Sequence, residues 1–276
     1  MTDRDKTEEN RIKRKKTVTT LLANIGRVFL DFLASTGRVT LFLFQALSQG
    51  FRPPYYLHQI LRQVWEIGYL SLPVVGLTAL FTGMVLALQS YTGFSRFNAE
   101  NVIANVVVLS MTRELGPVLA GLMVSGRIGA AMAAEIGTMR VTEQIDALTT
   151  LSTNPQKYLI APRLLAGVTM LPLLVLVADS IGVFGGYLVS VYRLGFNPAL
   201  YLQQTFDFME IQDVTSGLIK AAFFGFIIAL MGCYHGFNSK GGAQGVGKAT
   251  TYAVVSSSIL ILITNYLLTS LLFEQG

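Results

Sequence analysis

The stretch of this sequence closest to a nucleotide-binding signature is Gly242-Ala243-Gln244-Gly245-Val246-Gly247-Lys248-Ala249. A phosphate-binding loop requires G-x-x-x-x-G-K-[ST]: backbone amides after a strand wrap the phosphates, and a Ser or Thr hydroxyl holds magnesium. Here Ala249 replaces the hydroxyl residue, and the preceding segment reads as a membrane helix instead of a strand. The expectation is a flexible Gly-rich loop between two spans, and a chain that binds no ATP itself. Metal and thiol chemistry is equally sparse. Cys233 is the only cysteine, and His58 and His235 are the only histidines. That excludes an intramolecular disulfide framework, a multi-cysteine zinc site and a histidine-rich metal site. An intramembrane enzyme would need convergent nucleophile, acid–base or metal residues, and no such cluster is present.

Ionisable residues inside apolar runs are the stronger candidates, because a charge in hydrocarbon must be paired or face a cavity. Arg113, Glu114, Arg127 and Glu135 interrupt one long run, Asp179 stands alone in another, and Lys220 lies near the start of a third. Arg113 and Glu114 are about 100° apart on a helix, so each is expected to find its partner on another element. Arg127 and Glu135 are placed near the inner interface. The four charges are compatible with a polar path or gate, and also with interhelical pairing that fixes a bundle. Asp179 raises proton coupling, without an accompanying chain of acids and histidines.

The elements that must position these groups are membrane helices. Hydrophobic residues make up 52% of the 276, and charged residues 13%, against about 25% charged in soluble domains. Crossing about 30 Å of hydrocarbon takes roughly 20 apolar residues. Five segments qualify: 67–91, 102–136, 164–192, 214–237 and 252–273. The expected fold is an all-α integral membrane protein with about five transmembrane helices. A basic tail (1–17) and interfacial and elbow helices (18–65) precede a permease domain (66–276). With the N-terminus placed in the cytoplasm, seventeen Lys/Arg lie inside and two, Arg96 and Arg193, outside, a clear positive-inside bias. The tail's basic residues therefore read as topology and anionic-lipid contact, with no nucleic acid as partner, and no cleavable signal peptide is apparent. Residues 18–47 carry apolar positions at helical spacing, broken by Arg27, Asp31 and Arg38. The expectation is an amphipathic helix lying in the interface, with a sixth span as the alternative. Pro53-Pro54 breaks the chain, and a short helix from Tyr55 leads into the first span.

Other features each admit two readings. After Arg140, Thr142 is a plausible N-cap, Glu143 and Asp146 suit a helix N-terminus, and Ile145, Leu148 and Leu151 form an apolar edge until Asn154-Pro155 stops the helix. Such a helix, near 140–151, suits docking into a partner's groove or resting on headgroups. Two clusters of small residues, Gly121 to Gly137 and Gly182 to Gly186, suit internal packing or a homodimer seam. In the uncharged first span, Leu72, Val75, Leu80, Phe81, Val85, Leu88 and Tyr91 suit a wall for acyl chains or contact with bulk lipid. Just beyond it, Arg96 and Glu100 stand at i and i+4, placed for a local pair, a lipid headgroup or an outer partner.

Residues 113–148 carry a recognisable run: Arg113-Glu114-Leu115-Gly116-Pro117-Val118, then Ser125-Gly126-Arg127-Ile128-Gly129, then Ala134-Glu135-Ile136-Gly137-Thr138-Met139-Arg140-Val141-Thr142-Glu143-Gln144-Ile145-Asp146-Ala147-Leu148. With Thr82-Gly83-Met84-Val85, Gln89, Ala161-Pro162-Arg163 and Leu171-Pro172-Leu173-Leu174, it closely resembles the MlaE-type permease family of bacteria and plastids. The resemblance covers essentially everything after about residue 20. It implies a homodimeric permease subunit of an ABC transporter in the bacterial inner membrane, multi-pass and not itself an enzyme. Its partners would be a cytoplasmic ABC ATPase carrying ATP and magnesium, a STAS-domain protein, and a ring of MCE-domain proteins on the outer side. Its cargo would be phospholipid moved between inner and outer membranes, maintaining outer-membrane lipid asymmetry. By the same resemblance, Glu143 to Leu148, with Arg140, form the helix that couples to the ATPase. The first-span residues line a lipid pocket at the dimer axis, and Glu100 matches an acidic position of the outer loop. The long basic tail and the Gly241–Lys248 loop depart from the family pattern. The alternative is an ion-coupled secondary transporter or channel acting without an ATPase.

Overall fold

The computed structural model describes residues 26, 27, 30, 31, 33–48, 56–97, 99 and 102–273. The chain divides into two units after Ser48. In the first, helix α1 (33–48) exposes Leu33, Leu41 and Phe44, and the Arg38 guanidinium donates to Ser35 Oγ at 2.7 Å. The expected segment 18–47 is described only in part, and the basic tail, Pro53-Pro54 and Tyr55 lie outside the described residues.

The second unit is helical, with no strand among its described residues. Helices α2 (Leu57–Ile67) and α3 (Leu72–Phe94) are joined through Gly68 and a 3₁₀ turn at Tyr69–Ser71. Then follow α4 (Ile103–Val141), a short α5 (Gln144–Thr150), α6 (Gln156–Tyr192), α7 (Pro198–Phe208), α8 (Ile211–Phe237) and α9 (Gly242–Phe273). Five segments are long and apolar enough to cross a bilayer: Leu57–Phe94, Ile103–Val141, Gln156–Tyr192, Ile211–Phe237 and Gly242–Leu272. Each covers one expected span to within one residue and is longer than it, because helix continues past the apolar run into polar flanks.

Close backbone approach holds the bundle together. A Cβ at Gly83 would overlap the Gly182 carbonyl, which fixes α3 on α6, and Gly167 and Gly225 meet in the same way between α6 and α8. The expected small-residue cluster at Gly182 to Gly186 is thus used in internal packing, where van der Waals contact is the main source of helix association in lipid.

The expected Gly-rich loop is helical, and so is part of the connection between α6 and α8. Residues 242–248 form the opening turns of α9, not a Gly-rich loop. The chain reverses over Asn238–Gly241, with Gly241 at φ +89° and Gly242 at φ +67°, and Ser239 Oγ donates to the Gly137 carbonyl. Two glycines in the left-handed region make so tight a turn that no further loop is needed. The connection after Tyr192 holds α7, capped by Asn197, whose side chain accepts from the amides of Ala199 and Leu200, with Pro198 in the first turn. Cap and proline are both visible in sequence. Tyr201 is buried beside the rings of Tyr187 and Phe196.

Candidate functional site

Helix α4 is irregular at two places, π turns at Met111–Leu115 and Ser125–Gly129, and α6 opens with a third at Gln156–Ile160. The first and third each end two residues before a proline, Pro117 and Pro162. Proline has no N–H and its ring clashes with the carbonyl four residues earlier, here those of Arg113 and Tyr158. Widening the turn relieves that clash, and the Arg113 carbonyl is left for an outside donor. π turns of this kind recur at functional sites.

Lys220 of α8 supplies the donor. Its Nζ donates to the Arg113 carbonyl at 2.9 Å and to Glu114 Oε1 at 2.6 Å. Lys220 is 0% exposed. Its approach depends on Gly217, one turn earlier, whose Cβ would overlap the Thr112 carbonyl. Glu114 also accepts from Asn265 Nδ2 at 2.8 Å and Thr269 Oγ1 at 3.0 Å, both on α9. One carboxylate therefore joins α4, α8 and α9, while its side chain stays 38% exposed. The adjacent Arg113 turns the other way and pairs with Asp213, which is buried and also accepts from the Glu210 amide in the capping box of α8. Arg113 and Glu114 thus have separate partners, as their angular spacing requires. What it can do is latch three spans through charges that are costly to separate in a medium without water.

The sequence marks Lys220 only as a charge near the start of its span, and does not single out Asp213, Asn265 or Thr269. The signals available were a lysine in an otherwise uncharged span, which demands a partner, and a polar pair at i and i+4 in the last span.

Nearer the other end of α4, Glu135 pairs with Arg163 of α6 at 2.6 Å. Arg127 donates to Ser71 Oγ at 2.9 Å and to the Glu66 carbonyl at 3.1 Å. Arg62 and Glu66 pair along α2 at 3.0 Å. Asp179 is buried in α6 against Gly116, and its Oδ1 has no hydrogen-bond partner among the described residues.

Helix α5 differs from its expected form. Thr142 is not its cap: its hydroxyl donates to the Thr138 carbonyl, and Glu143 occupies the cap position at φ +60° with no side-chain cap bond. The turn between α4 and α5 is tight enough to need a left-handed residue. Of the expected apolar edge, Ile145 is buried and Leu148 half-buried, but Leu151 is exposed, because the helix ends at Thr150. Asn154 does not stop α5; its side chain accepts from the Gln156 amide as α6 begins. Glu143, Gln144 and Asp146 are exposed, and Arg140 holds Asp146 at 2.7 Å with its guanidinium over the Phe237 ring.

The first-span candidates separate by face. Val75 is buried, and Leu80 packs on Gly185 of α6. Leu77, Phe81 and Val85, spaced by four, form an exposed row. Leu72 and Leu88 are half-buried, and Tyr91 lies 6.1 Å from the Phe196 ring. Arg96 is exposed in a 3₁₀ turn at Ser95–Phe97, and Glu100 lies outside the described residues.

The family described as Permease MlaE matches residues 60–271. A probable ABC transporter permease protein of Rickettsia typhi is 61% identical over 91% of this chain and 96% of its own. One of Synechocystis is 44% identical over 78% of this chain and 81% of its own. The intermembrane phospholipid transport system permease protein MlaE of Haemophilus influenzae is 34% identical over 94% of this chain and 100% of its own. With the match spanning all five apolar helices and the charged pair that joins three of them, this chain belongs to the MlaE permease family.

Proposed function

We propose that this chain is the membrane subunit of an ABC transporter that moves phospholipid between the inner and outer membranes of a bacterial envelope and maintains outer-membrane lipid asymmetry. The observation that carries the reading is its likeness, over nearly its full length, to a relative named as an intermembrane phospholipid transport permease. ATP is hydrolysed with magnesium on a separate ATPase chain. That chain docks on α5, where the exposed Glu143, Gln144 and Asp146 meet it. The bias of Lys and Arg supports a cytoplasmic N-terminus and the same side for α5. The chain works in the inner membrane as a homodimer, with an MCE-domain ring on the outer side and a STAS-domain protein as a further partner. The exposed row of α3, with Phe81 and Val85, faces the acyl chains, and the Glu114–Lys220 latch holds the spans behind it.

The test is purification of the chain from native membranes in mild detergent, with mass spectrometry of bound proteins and lipids. A stoichiometric ATPase, an MCE-domain protein and retained phospholipid are expected. A second reading, an ion-coupled transporter, draws on the buried Asp179, whose Oδ1 has no hydrogen-bond partner among the described residues. It predicts that the chain purifies without an ATPase and that Asp179→Asn abolishes transport.

A further inference from the structure

Helix α7 joins two spans, and its side-chain rows meet different surroundings. Tyr201 and Thr205 are buried. They hold the helix on α4 and α6, with the Tyr201 ring 5.9 Å from that of Tyr187 and 6.5 Å from that of Phe196. One position on, Leu202 and Phe206 are exposed, Phe206 at 65%. One further on, Gln203 and Asp207 are exposed and polar. Each step turns the row by about 100°. The remaining row, Leu200, Gln204 and Phe208, borders the protein contact and is mixed. A helix with a protein side, an apolar side and a polar side suits a place where protein, lipid and water meet.

The path of the chain puts α7 at such a place. Helix α6 runs from the α5 side to α7, so α7 lies at the opposite membrane face. Only Met209 and Glu210 separate it from α8. Three Cα steps of about 3.8 Å keep Phe208 within about 11 Å of Ile211. Ile211 opens a span and is 84% exposed, and Ile219 and Phe223 continue its row along the exposed side of α8. At the other end of the connection, exposed Tyr192 closes α6. Aromatic side chains at span ends mark the headgroup level of a bilayer. The apolar row of α7 therefore begins one short link from the exposed apolar surface of a membrane span.

We propose that α7 is an interfacial helix, which seats Leu202 and Phe206 among the acyl chains of the leaflet opposite α5 and turns Gln203 and Asp207 to water. The inference rests on the five spans and not on the nature of the cargo. Phe196 stands between Tyr201 and Tyr91, its ring 6.1 Å from that of Tyr91. The helix thus ties the end of α3 to the surface of that leaflet.

The experiment uses the full chain in liposomes of phosphatidylethanolamine and phosphatidylglycerol. Cys233 is buried and escapes labelling, so a nitroxide is attached at Phe206→Cys or at Gln203→Cys. Both positions are exposed, so the fold is kept. Collisions with oxygen, which concentrates in the membrane, are compared with collisions with a water-soluble nickel chelate. The expected result is a label at position 206 about 5–10 Å inside the headgroup boundary, and a label at position 203 in water. A label at 206 as open to nickel as the one at 203 overturns the proposal. The rival occupant, a protein on that membrane face, is tested in native membranes with photo-reactive p-benzoyl-phenylalanine in place of Phe206. A phospholipid adduct, identified by mass spectrometry, supports the proposal. An adduct to a protein, or no adduct, overturns it.

Discussion

Lys220 meets Glu114 at 2.6 Å across α8 and α4, at the point where Pro117 denies the Arg113 carbonyl its helical donor. The ammonium completes both the carboxylate and the helix. Removing Glu114 leaves the buried Lys220 ammonium without its carboxylate, whereas removing Lys220 leaves a carboxylate that is 38% exposed. Glu114→Leu alone is expected to lower stability by about 3–5 kcal/mol, Lys220→Met by less, and the two together by less than Glu114→Leu alone. Thermal unfolding in detergent checks this. Recovery of lipid transport in the stable double variant would show the pair to be structural only.

Glycine contacts give the next test. Gly83→Ala places a methyl on the Gly182 carbonyl, with an expected loss of about 1–3 kcal/mol. Gly247→Ala, in α9 with open space around it, should instead stabilise by about 0.5–1 kcal/mol through helix propensity. A proteolysis or melting series on the two variants separates contact from propensity.

At α5, Glu143→Gly relieves a left-handed backbone and should add about 1 kcal/mol. Glu143→Lys with Asp146→Lys reverses two exposed charges and should abolish co-purification of the ATPase while the chain still inserts. Glu143→Lys alone keeps the Arg140–Asp146 pair and should weaken docking less. Unchanged co-purification in the double variant would remove α5 from the coupling role.

The two faces of α3 should respond in opposite ways. Val75→Ala removes buried packing, with an expected loss of about 1–3 kcal/mol and transport retained in the folded fraction. Val85→Trp fills the space beside an exposed position, so melting should hold while lipid transfer falls. Transfer unaffected by Val85→Trp would return that row to bulk lipid.

Hydropathy placed all five spans, because the bilayer imposes length and composition on any helix that crosses it. The separate partners of Arg113 and Glu114 also followed from helical spacing. The depth of Lys220 did not, since it depends on Gly217 letting α8 close on the Thr112 carbonyl. The start of α9 was hidden because glycine-rich composition suggests a loop, whereas the reversal was made by Gly241 and Gly242 alone. Likewise Thr142 looked like a cap by residue type, but its hydroxyl found a carbonyl one turn back. The π turns were legible only in part: Pro117 and Pro162 announce two of them, and nothing comparable follows the turn at Ser125–Gly129.

Each π turn contains one residue more than the α-turn it replaces. Beyond each, the helix is rotated by about 100° from where regular winding would put it. Helix α4 contains two such extra residues, so the faces that present Glu114, Arg127 and Glu135 are set by counting as much as by chemistry. Deleting Thr112 would leave every one of those side chains in the protein, yet aim Arg127 away from Ser71 and Glu135 away from Arg163. In this helix an indel is a rotation, and length is a functional property in its own right.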